Sequence, residues 1–221
     1  MQLVPYRFFF RIAQPCYYAP GLPEDDEDLF QLPERYRLQS WAELDGERPF
    51  ADVRLAWNED GLALQVEVRG KDLPPRGDAA RPRSSDGVSL WLDTRDSRTS
   101  HRASRFCHLF HLLPTGGGAE RDEAVVVQAR LARALADAPL ADPGQVQLRV
   151  RSRADGYRLM AWLPALVLNG YDPEQSPRLG VFWMVQDGEF GTQASGPTND
   201  LPYAEDPTLW GMLELVRENQ S

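Results

Sequence analysis

A chain of 221 residues that is 42% hydrophobic, 10% aromatic and 26% charged has globular composition. That excludes a disordered or fibrous chain and a small disulfide-stapled scaffold. At this length about 70% of the unfolded surface can be buried, so a core needs no metal or disulfide to hold it. The formal charge of −9 argues against nucleic acid as a partner, because that affinity comes chiefly from neutralising phosphates with Lys and Arg.

Period-two alternation of apolar and polar residues runs along the chain. It predicts strands at Tyr6–Ile12, Tyr36–Ala42, Val53–Trp57, Leu62–Val68 and Val88–Asp93, then at Arg105–Leu113, Val146–Arg151, Tyr157–Leu163, Leu179–Asp187 and Trp210–Val216. Asn58-Glu59-Asp60-Gly61 and Arg153-Ala154-Asp155-Gly156 each place an Asp-Gly pair between two such runs, where the glycine supplies the positive φ of a hairpin turn. Val126–Asp137 fits an amphipathic helix or an irregular strand, and both readings stay open. Pro164 followed by Ala165–Leu168, with Asn169-Gly170 as a stop, predicts one helical turn. The connections Pro20–Glu34, Lys71–Ser85, Thr115–Asp122 and Gly188–Pro207 are long and polar, the kind that carries binding function at the ends of a sandwich. The acidic run Glu24–Asp28 lies in the first of them, and the flexible run Gly116-Gly117-Gly118 in the third.

These elements predict an all-β chain: one domain over 1–221, an antiparallel β-sandwich of immunoglobulin-like or jelly-roll-like type. It has about ten strands and one or two short helices. No window approaches 18 uncharged apolar residues, so no membrane partner is expected. The start lacks the basic region, long apolar stretch and cleavage site of a signal peptide, which makes the cytoplasm the expected location if Met1 is the native start. Cys16 and Cys107 show no metal spacing and read as two small buried thiols. Lys71 is the only lysine among 24 basic residues. A GC-rich genome produces that bias, and arginine forks also recognise carboxylates and phosphates.

No catalytic residue is expected, since there is no G-x-S-x-G elbow and no nucleophile motif around either cysteine. The carboxylate pairs Asp93/Asp96 and Glu205/Asp206 read as turn caps. His101, Cys107, His108 and His111 fall within eleven residues. On a strand, Cys107 and His111 share a face while His108 points the other way, so the segment offers no three convergent metal ligands. Trp91 lies opposite Val88, Leu90 and Leu92 in the pleat. It is either a platform for a ligand or, if both sheet faces are covered, a core residue.

Four segments in order resemble the family 9 carbohydrate-binding modules and the wider DOMON-like superfamily: DVRLAWNEDGLALQVEV (Asp52–Val68), SDGVSLWLDTRD (Ser85–Asp96), DGYRLMAWLPALVL with PRLGVFWMVQD (Asp155–Asp187), and EDPTLWGMLELV (Glu205–Val216). They are similar to that family's opening hairpin, its D-x-V-E strand, its G-Y-x-x-E strand with the I-G-F strand, and its closing D-P-x-x-F-G strand. The resemblance implies a sandwich that grips a sugar between two tryptophans. Framework positions Asp86, Asp93, Gly180, Asp187 and Gly211 match. The sugar-gripping positions fall instead on Arg83, Ala194, Ser89, Cys107, Leu109 and Met184. By pleat parity Ser89, Trp91, Cys107, Leu109, His111, Phe182, Met184 and Gln186 would share the ligand face.

What the resemblance implies is a non-catalytic binding module for a carbohydrate or other small ligand. Arg83, Ser89, Trp91, His111, Asp187 and Gln193 are its ligand-binding candidates. Simple mono- and disaccharides are expected to bind weakly or not at all, because hydroxyls buried against Leu109 and Met184 lack partners. The family's frequent use of calcium allows a structural calcium, although no stretch has loop-site spacing, and no other cofactor or metal ligand is expected. Two alternatives are a protein-interaction domain on the same sandwich, and a haem- or metal-binding domain using the 101–111 histidine segment.

Overall fold

A computed structural model describes residues 13–24, 28–39, 48–196, 198 and 201–217. Eleven strands form one hydrogen-bonded sheet: β1 (Ala13–Tyr18), β2 (Ala51–Asn58), β3 (Gly61–Arg69), β4 (Gly87–Asp93), β5 (Cys107–Gly117), β6 (Glu123–Ala129), β7 (Gln147–Arg153), β8 (Gly156–Pro164), β9 (Arg178–Asp187), β10 (Gly191–Ala194) and β11 (Gly211–Val216). The order across it is β6-β5-β4-β9-β11-β1-β2-β3-β8-β7, with β10 paired to β9. The only helices among the described residues are five three-residue 3₁₀ turns. The chain is all-β, as the alternation requires.

The sheet folds on itself into two layers, with β1 and β11 at the fold. Val88, Leu90 and Leu92 of β4, Phe110 and Leu112 of β5 and Trp183 and Val185 of β9 face Leu55 of β2, Leu64 and Val66 of β3 and Leu159 and Ala161 of β8 in one buried cluster. These are the period-two positions, so one face of every central strand was set by sequence pattern.

Strand direction departs from the antiparallel expectation at β1. That strand runs parallel to β11 from Ala13↔Met212 to Tyr17↔Val216, and parallel to β2 at Tyr17↔Ala56 and Tyr18↔Trp57. Pro15 sits where β1 has β11 as its one partner among the described residues, so its missing N–H costs no ladder bond on the open side. The predicted strand Tyr6–Ile12 lies outside the described residues. Of Tyr36–Ala42 the described part holds an isolated bridge, Arg37↔Arg54, after a 3₁₀ turn at Glu34–Tyr36. β6 resolves the ambiguity at Val126 in favour of a strand, paired to β5 from Leu109↔Ala129 to Gly117↔Glu123 across an irregularity. Gly116 and Gly117 belong to the end of β5 rather than to a flexible connection. β10, four residues in a loop of Gly, Pro and acids, carries no alternation long enough to read.

Both hairpins form, with Asn58↔Gly61 and Arg153↔Gly156 closing two-residue loops. The glycines carry the expected positive φ and also allow a close approach of strands. Gly61 and Gly156 adopt φ of +154° and +153° in the first position of β3 and β8, beside a neighbouring strand. A Cβ on Gly156 would lie 2.0 Å from the Val68 carbonyl oxygen, and one on Gly61 2.3 Å from that of Leu163. Backbone atoms cannot give way by that much, so Gly156→Ala is expected to cost about 3 kcal/mol in urea unfolding. A loss below about 0.5 kcal/mol would show that the strands do not approach this closely.

The outer faces of both layers are covered too. Ala19, Leu22, Leu29, Phe30, Leu32 and Tyr36, from the segment after β1, pack over Ala56, Ala63, Met160 and Trp162. The polar face read for β3 is therefore internal. Gln65 accepts the Leu32 N–H at 3.0 Å. Glu67 pairs with Arg69, Arg153 and Arg158 at 3.0, 2.9 and 3.3 Å. Glu24 and Asp28 are the described ends of the acidic run; Asp25–Glu27 lie outside the described residues.

Candidate functional site

The outer face of β4, β5 and β9 is where Trp91 points. Register places Ser89 between His111 and Met184, Trp91 between Leu109 and Phe182, and Asp93 opposite Cys107. The eight residues assigned to one face by parity do share it. Most of that face is closed to solvent. Trp91 and Phe182 are each 1% exposed, and Leu109 is fully buried. They lie in a second core with Cys107, Met184, Ala194, Ala103, Leu131 and Trp210.

The lid on this face is Tyr203. Its ring stacks on Phe182 (centroids 4.5 Å, planes at 20°) and meets Trp91 edge-on at 5.5 Å. Its hydroxyl donates to Met184 Sδ at 3.6 Å. Trp210 Nε1–H donates to the Tyr203 carbonyl at 2.7 Å and fixes the loop. The Trp91 indole N–H is buried and finds no acceptor among the described residues, an expense of roughly 1–3 kcal/mol that the surrounding aromatic packing offsets. Trp91 is thus a core residue, covered by a half-buried tyrosine. Tyr203 could not be found from spacing, because its loop has no periodicity, and Trp210, read as the first residue of the closing strand, sits just ahead of β11.

At His111 the face opens. Arg81, Pro82, Arg83, Ser84, His111 and Ala129 line a cavity of about 340 Å³, at the small end of ligand pockets. His111 forms its inner wall. Its Nδ1 lies 2.7 Å from Ser89 Oγ, and its ring meets Trp91 edge-on at 6.4 Å. Burial first, and then the nearby Arg83 charge, push the imidazole down to about 4, so it is neutral at pH 7. Arg83 is exposed, on a 3₁₀ turn at Pro82–Ser84. Four of the six residues picked from sequence therefore come together here: Ser89, Trp91, His111 and Arg83.

Asp187 and Gln193 do not join them. Asp187 is fully buried and binds Lys71 Nζ through both oxygens, at 2.6 and 2.7 Å. It also accepts the N–H groups of Glu189 and Phe190 at 2.9 and 3.2 Å. Asp86 and Glu189 stand 3.7 and 3.8 Å from the same ammonium. Gln193 ties β10 to the start of β2. Its Oε1 accepts from Phe50 and Ala51 N–H at 2.7 and 2.8 Å, and its Nε2 donates to the Ala51 carbonyl at 2.9 Å. Asp187 ends β9 on the parity of Trp183 and Val185 and so turns inward, and Gln193 lies in a four-residue strand too short to show its parity. Both are structural rather than ligand-binding. Gln193 does border a larger cavity of about 530 Å³ with Phe50, Trp183, Arg37 and Asp52.

The histidine segment does not converge. His101 bonds Asp206 at 2.8 Å near the surface, His111 bonds Ser89, and His108 stacks on Phe110 in the inner core. Among the described residues no group of three or more His, Cys, Asp or Glu is placed to hold a metal ion. The acid cluster at Asp86, Asp187 and Glu189 is centred on the Lys71 ammonium instead. Cys16 and Cys107 are free and buried, and burial raises both thiols, Cys107 to about 11. Asp93 caps its turn, accepting N–H groups from Arg95 and Ser97.

No family profile and no curated sequence matches the chain. Among solved structures, it is similar to a family 9 carbohydrate-binding module from Caldicellulosiruptor kristjanssonii in complex with cellotriose. The TM-score is 0.61 at 15% identity, covering 95% of this chain and 96% of that one. The same module with glucose gives 0.61 and 15%, covering 94% and 98%. A putative carbohydrate-binding protein from Bacteroides uniformis gives 0.49 at 13% identity, covering 82% and 84%. The fold is that of the family 9 modules. At this identity the likeness concerns the fold alone.

Proposed function

We propose that this chain is a non-catalytic carbohydrate-binding module whose ligand enters beside Arg83, over His111 and Tyr203. What supports the reading most is the coincidence of two things. The fold follows a family 9 module along nearly its whole length, and the outer face of β4, β5 and β9 carries an aromatic cluster next to an open cavity. The half-buried Tyr203 offers the kind of apolar ring on which a sugar can rest, and Arg81, Arg83, Ser84 and His111 give the cavity its polar groups.

Because Trp91 and Phe182 are covered, neutral mono- and disaccharides can contact little of the face. Their binding is expected to be weak, in the millimolar range or above, which corresponds to about −4 kcal/mol or less favourable. A glycan array followed by tryptophan-fluorescence titration tests the function. Selective binding that is reduced in Tyr203→Ala supports the module. An array with no hit, from folded protein, would favour the second reading, a protein-interaction domain. The covered face is the specific observation on that side, since a plugged aromatic platform is what a sandwich without a sugar site would keep.

A further inference from the structure

We infer that the ligand of this site carries a carboxylate, and that Arg83 reads it: an acidic saccharide ending in a uronate residue. This rests on the carbohydrate reading above and narrows it. The side chains lining the cavity include two arginines and no carboxylate or amide. Arg81 is engaged, with Nε 3.1 Å from Asp78 Oδ2. Arg83 makes no hydrogen bond or ion pair with any described residue, and it stands close enough to bear on the ionisation of both His111 and Tyr203. An exposed guanidinium at the rim of a cavity, with its fork unused, is a donor array without an acceptor.

The chemistry of that array selects the ligand. A guanidinium offers five N–H donors and no lone pair. Neutral sugar hydroxyls need acceptors as well as donors, and the lining supplies few: the neutral His111 ring is already committed through Nδ1 to Ser89. A carboxylate is acceptor-only and matches the fork bidentately. Pro82 and Ala129 give the sugar ring apolar walls. The net charge of −9 opposes a long polyanion, so a single terminal uronate suits the site better than a polyuronate chain.

Cellobiouronic acid and cellobiose differ by one carboxylate in place of a hydroxymethyl group, and they test the inference directly. Titrated into the full chain at low salt, the acid is expected to bind roughly tenfold or more tightly than the neutral sugar. Arg83→Ala should abolish that difference and Arg83→Lys should keep part of it, with an unchanged melting temperature because the side chain is exposed. Acetate should compete only weakly. Equal affinity for the two disaccharides would overturn the acidic ligand and leave the carbohydrate reading intact. Preference for the acid that survives Arg83→Ala would overturn the role of Arg83, and acetate binding as tightly as the sugar would reduce the site to a bare anion site. If neither disaccharide binds, the inference fails, and a blank glycan array would then take the carbohydrate reading with it.

Discussion

Lowering the pH from 7 to 5 is expected to remove about 4 kcal/mol of folding stability through two histidines alone. His108 and His111 are each 1% exposed. Burial pushes both imidazoles from an ordinary 6.5 down to about 4, against a weak opposing contact from the Asn169 carbonyl at His108 and with help from Arg83 at His111. Above pH 6.5 both rings are neutral folded or unfolded, and the full stability is present. Between 6.5 and 4 the unfolded chain takes up protons that the folded chain refuses, so stability falls as pH falls. Below about 4 the folded rings protonate too and this contribution levels off. Urea unfolding at pH 7, 6 and 5 measures the slope while most carboxylates remain ionised. The variant His108→Gln, His111→Gln should be less stable at pH 7 yet much flatter across this window. An equally steep slope in the double variant would place the titration elsewhere.

Lys71→Met is expected to destabilise the protein by about 3–5 kcal/mol, because it strands a carboxylate rather than because it removes a contact. The Lys71 side chain is 2% exposed, and that of Asp187 is fully buried. Among the described residues two backbone N–H groups would remain to hold the Asp187 charge, with Asp86 and Glu189 nearby adding repulsion. At 2–4 °C per kcal/mol for a chain of this size, the melting temperature should drop by roughly 10 °C. Lys71→Met combined with Asp187→Asn removes the stranded charge, and it should recover a large part of the loss. A single variant within 0.5 kcal/mol of the parent would mean that water reaches the pair. The buried ammonium neutralises the acid cluster of Asp86, Asp187 and Glu189.

The alternation in Leu62–Val68, Val88–Asp93, Tyr157–Leu163 and Leu179–Asp187 was enough to specify an all-β fold and the inner core. A side-chain period of two has one face per parity, and the apolar parity has to go inside. It also grouped Ser89, Trp91, His111 and Phe182 on one outer face, because register between β4, β5 and β9 preserves parity from strand to strand. Whether that face was open could not be read from the same signal. Covering Trp91 depends on Tyr203, more than 100 residues further along the chain in a loop without period, and a non-periodic segment carries no local record of what it packs against. The same limit applies to Lys71. Its place in the sequence, as the only lysine among arginines, pointed to genomic bias, whereas its partner Asp187 is 116 residues distant. Parallel pairing of β1 was hidden for a related reason, since strand direction follows from chain topology and leaves no mark on alternation. Local chemistry therefore determined which residues face inward, and only the tertiary structure decided which polar groups meet each other and which, like Arg83, have no partner among the described residues.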